Sequence, residues 1–292
     1  MQVLVAKEAE EIAAGLGELT ADLAESRGRS FEADAEARGA YWDALAGGEW
    51  PLVGAEPAAE GGLSSVDLCH VAEQWGRVAL PVPFVPTVLA RRWGFADPAA
   101  AAPVTLALPA PGGGSVVPFA DWPGVTVLGW DAVPDTGPAD RWAPTYPVST
   151  VERPSPLTAA QVATARVVGV AEAVGTAARA LADGVGHALT RQQFNRPIGS
   201  FQAVQKHLAD SHRDVEIGRS LVLTALQADD PALVGPAVTE GFTRARTVVE
   251  RSIQVYGGMG FTWEVDLHYR LRHVVALAGA LDPAPARREA AA

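Results

Sequence analysis

Hydrophobic residues in the first hundred positions recur every three or four residues, the spacing that places side chains on one face of an α-helix. Residues 5–26 show this spacing most plainly, with Leu16, Leu19 and Leu23 on one face. The same spacing predicts a second helix over residues 31–45. The N-terminal part of the chain is therefore predicted to be helical.

Two further helices are delimited by capping residues and by prolines. Ser64 and Ser65, followed by Asp67, are typical of a helix N-cap, so a helix is predicted from there to Val78. The prolines at positions 81, 83 and 86 cannot continue that helix. A short helix that ends near Arg92 is predicted after them.

The pattern changes between Pro103 and Pro156. Proline and glycine are frequent in this segment, and its apolar runs are short and rich in β-branched residues. These runs predict strands over residues 104–108, 116–117 and 125–130, joined by turns. About fifty residues allow a small sheet but no independent β-domain.

The C-terminal half returns to the helical period. Residues 159–190 keep a 3.6-residue repeat of small and branched apolar side chains, and long helices are also predicted over residues 201–228 and 231–256. A shorter helix is predicted over residues 266–281. Long helices with brief connections predict an antiparallel bundle of the four-helix type. The chain is thus predicted to be mostly α, with an N-terminal helical domain at 1–102, a reduced β segment at 103–156 and the bundle at 157–292.

Composition and charge narrow the possible functions. Of the 292 residues, 48% are hydrophobic and 20% charged, a balance typical of a folded domain and not of a disordered one. A net charge of −11 argues against nucleic acid or anionic lipid as general partners. No apolar run approaches the ~20 residues that a membrane-spanning helix needs. The single cysteine, Cys69, predicts no internal disulfide and a reducing, cytoplasmic location.

One connector between two long helices combines residues that suit an anion and an aromatic ring. It begins at Arg191 and reads Arg-Gln-Gln-Phe-Asn-Arg-Pro-Ile-Gly-Ser-Phe-Gln-Ala-Val-Gln. Arg191 can donate paired hydrogen bonds to a phosphate, and Phe194 offers a flat apolar face. Pro197 fixes the turn, and Gln202 begins the next helix. From the residues alone, a solvated helix–helix loop is an equally good interpretation.

A second segment, which begins at Gln254, reads Gln-Val-Tyr-Gly-Gly-Met-Gly-Phe-Thr-Trp-Glu. Its three glycines let the backbone approach a ligand and leave amides free to donate to phosphate. The same glycines suit the C-cap of the preceding helix, and for this segment alone the C-cap is the stronger interpretation. A helix and not a strand precedes them, so the segment is no dinucleotide-binding fingerprint of the βαβ type.

Other catalytic patterns are missing from the sequence. The six histidines show neither a HExxH motif nor a paired Cys/His spacing, so no metal site is predicted. No Gly-x-Ser-x-Gly elbow occurs, and Cys69 lies on a predicted apolar helix face where we expect it to be buried. The glycine run before Ser115 lacks the lysine of a phosphate-binding loop and is interpreted as a turn.

Together the two glycine- and arginine-bearing segments resemble the acyl-CoA dehydrogenase family. Its members carry Arg-x-x-Phe-x-x-Pro-Ile-x-x-Phe-Gln-x-x-Gln and, further along, Gln-x-x-Gly-Gly-x-Gly-Phe, and both stand here in that order. The resemblance implies an FAD cofactor whose ADP half, seated in a neighbouring subunit, is contacted across a dimer interface. The residues implied as FAD contacts are Arg191, Gln193, Phe194, Gln202, Gln254, Gly257 and Gly258.

The resemblance also implies that the chain lacks the family's catalytic base. This base is a glutamate that commonly lies nine residues after the arginine of an Arg-Asp pair, which here reads Arg272-His273. The ninth residue is Leu281, which cannot accept a proton, so no catalytic residue is assigned. The carboxylates left open as alternative bases are Asp282, Glu240 and Glu250, of which the two glutamates are interpreted as surface charges.

The middle segment is short for the family as well. It lacks the Thr-Glu-Pro…Gly-Ser-Asp strand and the Trp-x-Thr or Trp-x-Ser turn that hold the flavin ring, so Trp122, Trp130 and Trp142 are expected to be core or interface aromatics. The Gly-Phe-Thr-Trp-Glu string with His268 downstream resembles the branch that acts on bulky CoA thioesters in actinobacterial steroid and fatty-acid catabolism.

These features lead to one hypothesis and two alternatives. The hypothesis is a subunit of an α2β2 FAD-dependent acyl-CoA dehydrogenase whose full-length partner carries the glutamate and binds most of the acyl-CoA. Electron-transfer flavoprotein is the expected electron acceptor. The first alternative is an autonomous homo-oligomeric dehydrogenase with a relocated base, and the second is a non-redox scaffold or binding protein of the same fold.

Overall fold

The computed structural model describes residues 5–26, 34–55, 62–95, 102–132, 134, 140, 142–227 and 231–282. Its helices are α1 Lys7–Ser26, α2 Ala35–Gly47, α3 Ser65–Val78, α4 Phe84–Arg92, α5 Ala159–Thr190, α6 Gln202–Gln227, α7 Val234–Tyr256 and α8 Leu267–Leu281. Its strands are β1 Val104–Thr105, β2 Leu108–Pro109, β3 Ser115–Pro118, β4 Thr126–Val127, β5 Val148–Val151, β6 Gln192–Gln193 and β7 Arg196–Pro197. The prediction of a mostly helical chain with a reduced β segment is confirmed.

Helix α3 begins and ends where its sequence predicts. The Asp67 backbone N–H donates to Ser64 Oγ at 3.2 Å, and the Ser64 backbone N–H donates to the Asp67 carboxylate at 2.9 Å, which together form a capping box. The helix ends at Val78, after which Ala79 adopts a left-handed conformation with φ of 56°. The backbone N–H of Ala6 also donates to Asp67 at 2.9 Å and so ties the start of α1 to α3.

The middle segment forms two small sheets whose strands differ in length from the prediction: β3 extends the strand predicted over 116–117 to four residues, and β5 was not predicted. β1 pairs in parallel with β4, whereas β2, β3 and β5 form an antiparallel sheet in that order. The strand predicted over 104–108 divides into β1 and β2, and the one over 125–130 keeps only β4, which ends before Gly129 with φ of 78°. The glycine run 112–114 turns between β2 and β3, as predicted.

The tryptophans of this segment differ in their burial. Trp122 and Trp130 are 7% and 6% exposed, so their predicted place in the core is confirmed. Trp142 is 51% exposed and lies 5.8 Å below the guanidinium of Arg272, which belongs to α8. The contact joins the segment that precedes β5 to α8.

Helix α5 is the centre of the fold. Every residue from Ala171 to Ala178 is buried, which is typical of a helix that has neighbours on all sides. It packs against α3 on one side and against α6, α7 and α8 on the other. One continuous hydrophobic core therefore joins the N-terminal helices to the bundle, while the division of the chain into domains at 102 and 156 stays a prediction.

Helices α3 and α5 cross at two facing glycines. A Cβ atom at Gly76 would lie 1.9 Å from the carbonyl oxygen of Glu172, and one at Gly175 would lie 1.8 Å from the carbonyl oxygen of Glu73. Thr176 Oγ1 donates to the carbonyl oxygen of Gly76 at 2.8 Å. The two backbones thus touch directly, without side chains between them.

We expect Gly175→Ala to lower the free energy of unfolding by about 3 kcal/mol, because the added methyl group meets main-chain atoms that cannot move aside as a flexible side chain can. Gly186→Ala is the matched control on the same helix, since a Cβ atom there meets nothing within 4 Å. The control is expected to be neutral or up to about 1 kcal/mol more stable, because alanine favours helix over glycine. Urea denaturation of both variants checks this, and equal stabilities would contradict the close crossing.

Candidate functional site

The segment that begins at Arg191 and the segment that begins at Gln254 lie at the same end of the bundle. The first follows the C-terminus of α5, and the second follows the C-terminus of α7. The rings of His187 and Tyr256 join these two helix ends, with centroids 4.0 Å apart and 15° between their planes. Tyr256 Oη also donates to the carbonyl oxygen of Asp183 at 3.1 Å. Residues 185–202 and 254–263 are called the bundle-end surface below.

The first segment is a tight β-hairpin and not an irregular loop. Strands β6 and β7 pair in antiparallel fashion, with Gln193 opposite Arg196. The two turn residues, Phe194 and Asn195, have φ of 53° and 61°, as a two-residue type I′ turn requires. This turn holds the Phe194 ring away from the protein, where it is 87% exposed.

Aromatic and backbone contacts fix the hairpin onto the start of α6. The guanidinium of Arg196 lies 4.1 Å from the ring centroid of Phe201, and the ring of Phe194 meets Phe201 edge-on at 6.1 Å. Gly199 packs against α5, because a Cβ atom there would come within 3.0 Å of a carbonyl oxygen of that helix. Gln205 Nε2 donates to the Gly199 carbonyl oxygen at 2.9 Å. The hairpin is therefore ordered although its tip is exposed.

Arg191 is held by its backbone and keeps its guanidinium exposed. Its backbone N–H donates to the His187 carbonyl oxygen, and its own carbonyl oxygen accepts from Ile198, both at 2.8 Å. Among the residues that the structure describes, no carboxylate pairs with this guanidinium. Burial and the positive charge of Arg191 both lower the pKa of His187. Gln193 and Gln202 are exposed beside it.

The second segment combines a helix end with an open stretch of backbone. Gly257 ends α7 with φ of 64° and ψ of −139°, a conformation suited to glycine, so the predicted C-cap is confirmed. A Cβ atom at Gly257 or Gly258 would meet nothing within 4 Å, which leaves the backbone open to a ligand. Gly260 is packed instead, since a Cβ atom there would lie 2.6 Å from the carbonyl oxygen of Ile253. Gln254 is exposed in the last turn of α7.

Large apolar side chains crowd the bundle-end surface. Eight large hydrophobic residues are exposed in the described parts of the chain, and six of them belong to this surface. Those six are Val185 (38% exposed), Leu189 (68%), Phe194 (87%), Met259 (44%), Phe261 (71%) and Trp263 (60%). A concentration of exposed apolar side chains is typical of a surface that another protein covers.

The structure places all seven residues predicted to contact FAD at this one end of the bundle. Four pockets are formed by described residues, and none of the four is lined by any of these seven. They lie along two neighbouring edges of this end. One edge consists of the hairpin and the start of α6, and the other is the end of α7. In the described part of the chain, no hydrogen bond joins one edge to the other through these seven side chains. The seven residues therefore lie on an open surface.

Leu281, the position predicted to correspond to the family's glutamate, is buried and apolar. Leu281 is 6% exposed, and its side chain packs against Gly169, where a Cβ atom would lie 2.3 Å from Leu281 Cδ1. The adjoining cavity, which Tyr146 and Glu172 also line, has a volume of about 20 Å³. That volume holds a single water molecule and excludes a thioester.

Three buried polar side chains close this region, and sequence reasoning missed them. Glu172 Oε1 lies 3.1 Å from His273 Nε2, and His273 Nδ1 lies 2.8 Å from Thr145 Oγ1. Their exposures are only 3%, 1% and 1%. The available signal was Glu172 itself, a charged residue in the middle of an otherwise apolar run of α5.

The three carboxylates named above as alternative bases form ion pairs or hydrogen bonds with neighbouring side chains. Glu240 and Glu250 are 45% and 44% exposed on α7. Glu240 pairs with Arg244, four residues after it, and Glu250 pairs with Arg246, four residues before it, both at 2.7 Å. Asp282 accepts a hydrogen bond from Thr239 Oγ1 at 2.6 Å. The interpretation of the two glutamates as surface charges is confirmed.

Metal-binding and thiol chemistry find no support in the described residues. Within these ranges, histidine, cysteine, aspartate and glutamate form no group of three that could hold a metal ion. Cys69 is buried as predicted, and burial, with the nearby charge of Glu73, raises the pKa of its thiol to about 12. None of the described helices is both long and apolar enough to cross a membrane.

Residues 156–278 match the family model for the acyl-CoA dehydrogenase C-terminal domain. Over 228 residues the chain is 31% identical to the acyl-CoA dehydrogenase IpdE2 of Mycobacterium tuberculosis, a match that covers 69% of this chain and 69% of that protein.

Solved structures share the fold over nearly the whole chain. A variant of the Tcur3481-Tcur3483 steroid ACAD is 25% identical with a TM-score of 0.68, over 97% of this chain and 96% of that one. The ChsE4-ChsE5 complex from Mycobacterium tuberculosis is 20% identical with a TM-score of 0.76, over 100% of this chain and 98% of that one. The second likeness concerns the fold alone.

We expect the pKa of His187 to lie below the ordinary value of about 6.5, and Arg191→Gln to raise it towards that value, because the variant removes a positive charge beside the ring. Since the unfolded ring takes up its proton first, the fold loses stability as the pH falls from 6.5 to the folded pKa and is unaffected above 6.5. Imidazole chemical shifts measured against pH check this. Arg246→Gln, on an exposed turn of α7, should leave the pKa unchanged; the same result for Arg191→Gln would contradict the proximity of the two side chains.

We expect Glu172→Leu to lower the free energy of unfolding by about 3 kcal/mol, because it leaves His273 buried without its carboxylate partner. The joint variant Glu172→Leu/His273→Leu should cost less than the sum of the two single changes, since both members of the pair are then apolar. Denaturant titrations of the four proteins measure this coupling. The exposed pair Arg246–Glu250 serves as the control cycle, with a coupling below about 1 kcal/mol. Additive costs at Glu172 and His273 would mean that the two side chains do not interact.

Proposed function

The chain belongs to the acyl-CoA dehydrogenase family, and from this premise we propose that it is a subunit of a heteromeric, FAD-dependent acyl-CoA dehydrogenase. A full-length partner subunit supplies the catalytic glutamate and most of the acyl-CoA pocket. The observation that carries the proposal is a contrast between two regions: Arg191 and Phe194 are exposed beyond the C-terminus of α5, whereas Leu281 at the end of α8 is buried beside a cavity of about 20 Å³.

The bundle-end surface fits the ADP half of FAD. A pyrophosphate suits a guanidinium that has no carboxylate partner among the described residues and a stretch of backbone that it can approach closely. Arg191 offers the first, and the unobstructed backbone at Gly257 and Gly258 offers the second. An adenosine needs a flat apolar face, and the Phe194 ring is presented by the hairpin for such a contact. The exposed amide side chains that can donate to and accept from the remaining polar groups are Gln193, Gln202 and Gln254.

The flavin ring and the acyl thioester do not fit into the cavity beside Leu281. The cavity beside Leu281 has room for one water molecule, and the Glu172–His273–Thr145 contacts close it on the side of α8. Both groups would therefore lie in the partner subunit. One FAD per heterodimer follows from this division.

The exposed apolar side chains support a heteromeric assembly. Phe194, Phe261 and Trp263 are the aromatic type of side chain that anchors protein interfaces, and each is more than half exposed here. Their burial against a partner stabilises the complex by about 25 cal/mol for each Å² of apolar surface covered. The ChsE4-ChsE5 neighbour is described as a complex, and an α2β2 arrangement with a longer subunit is proposed for this chain by analogy.

When bound, FAD supplies the acceptor for the hydride from the β-carbon of the acyl-CoA, while the partner's glutamate takes the α-proton and an enoyl-CoA results. This chain binds and orients the cofactor through Arg191 and Phe194, and its apolar surface excludes water from the interface. Electron-transfer flavoprotein is the proposed acceptor of the electrons. A bulky acyl group, such as a steroid side chain, is supported by the Gly-Phe-Thr-Trp-Glu string and by the likeness to a steroid ACAD.

We expect Arg191→Gln, purified in complex with the partner subunit, to bind FAD at least tenfold more weakly, since a charge-assisted contact to phosphate contributes about 1.5–3 kcal/mol. Flavin absorbance for each heterodimer, measured after gel filtration, checks this. Arg246→Gln carries the same change in charge on an exposed face of α7 and should keep one flavin for each heterodimer.

Three results would overturn parts of this proposal. A yellow and active enzyme from this chain alone would favour the autonomous dehydrogenase. Two flavins for each heterodimer would mean that the region at Leu281 opens to hold one. Full flavin content in the Arg191→Gln complex would remove the cofactor role of this surface and favour a scaffold.

A further inference from the structure

We propose that this chain holds a second ligand site, a pocket between α3, α5 and α6 that binds a small amphipathic carboxylate. The pocket has a volume of about 280 Å³, near the lower end of the range for pockets that bind small molecules. None of its lining residues belongs to the bundle-end surface or to the region at Leu281. The site is therefore separate from the proposed cofactor contacts and does not depend on them.

The floor of the pocket is apolar. Cys69, Val174 and Val222 line it, with exposures of 4%, 2% and 6%, and the half-buried Val66 and Leu223 form its walls. The Cys69 thiol stays neutral because burial raises its pKa to about 12. It therefore acts as a small apolar group, and the floor suits a hydrocarbon body.

A neutralised ion pair forms one side of the rim. Arg219 Nη2 donates to Glu73 Oε1 at 2.6 Å, and Arg219 Nε lies 3.0 and 3.2 Å from the two carboxylate oxygens. Hydrogen bonding to Glu73 raises the pKa of Arg219 despite its partial burial. Arg219 also pairs with Glu216, one turn before it on α6, and its contact with Glu73 joins α3 to α6.

Arg77 is the second arginine at the rim, and the carboxylate near it is shared with Arg219. Among the described residues, Glu73 is the one carboxylate within ion-pair distance of its guanidinium, at 4.0 Å, and that carboxylate already binds Arg219. The Arg77 side chain is 35% exposed at the mouth of the pocket, one helical turn from Glu73 and two from His70. Glu73 and Glu216 both pair with Arg219, whereas Arg77 reaches a carboxylate only at 4.0 Å, so Arg77 is the arginine of the rim that can accept an added anion.

The apolar floor and the weakly paired Arg77 at its edge indicate which ligand the pocket binds. A hydrocarbon body covers the floor, and a single carboxylate accepts paired hydrogen bonds from Arg77. A free phosphate would leave the floor without contacts, and a neutral alcohol would leave Arg77 without an anion. The small volume limits the body to a short chain or a single ring system.

Val5, which precedes α1, lies at one side of the mouth. Val5 lines the pocket, and the neighbouring Ala6 is held by the hydrogen bond from its backbone N–H to Asp67. Asp67 is itself fixed by the capping box of α3, on the same helix as Cys69 and Glu73. The walls are therefore set by helix packing and capping contacts, so the pocket is formed before a ligand enters.

Calorimetric titration of the full chain with octanoate tests the site, with 1-octanol as the neutral probe. We expect octanoate to bind more tightly than 1-octanol, and Arg77→Gln to weaken octanoate at least tenfold while leaving 1-octanol unchanged. Leu223→Trp fills the pocket from its half-buried wall and should abolish binding of both probes. Arg246→Gln, an exposed arginine on α7 that is paired with Glu250, is the matched control and should change neither.

Thermal unfolding of each variant shows whether it is folded, and Arg77→Gln decides the question even where Leu223→Trp does not fold. No octanoate binding at millimolar concentration would overturn the proposal, and so would equal affinities in the wild type and Arg77→Gln. Flavin content of the complex with the partner subunit is measured in parallel and should be the same in Arg77→Gln and wild type. Loss of octanoate binding with intact flavin content concerns this pocket alone, whereas loss of flavin concerns the cofactor role.

Discussion

The rest of the structure depends on the crossing of α3 and α5 at Gly76 and Gly175. Backbone contact at this point leaves no room for a side chain, and Thr176 adds a hydrogen bond across it. Because α5 is buried on all sides at this level, the crossing joins the N-terminal helices and the C-terminal bundle into one core. The same crossing sets one wall of the pocket at Arg77.

Helix α5 also separates a buried polar cluster at Glu172 from the exposed surface at Arg191. Glu172 lies near its middle and is closed in by His273 and Thr145, whereas Arg191 follows its C-terminus and is exposed. The 19 residues between them correspond to roughly 28 Å along a helix axis. The residues proposed to contact FAD thus lie exposed at one end, while Leu281, the position predicted to correspond to the family's base, is buried among other side chains. This arrangement supports a chain that lends contacts to a neighbour.

Much of the fold could be predicted from the sequence, because its helices are long and strongly periodic. The ends of α3 are marked by its capping box and by the prolines that follow it, and α5 begins with a second capping box at Thr158. The strands were harder to predict, because β1 and β4 are two residues long and are defined only by their pairing with each other. The hairpin was interpreted as a loop because its turn consists of Phe194 and Asn195, with no glycine to indicate a type I′ turn.

Local periodicity and residue identity alone establish the helices, the order of the two motifs and the leucine at position 281, because none of these requires knowledge of a distant neighbour. The meeting of both motifs at one bundle end, through His187 and Tyr256, follows only from how the helices pack. The same holds for the contact of Glu172 with His273, 101 residues apart. Periodicity states which face of a helix is buried, but the partner of each buried group is selected by three-dimensional packing.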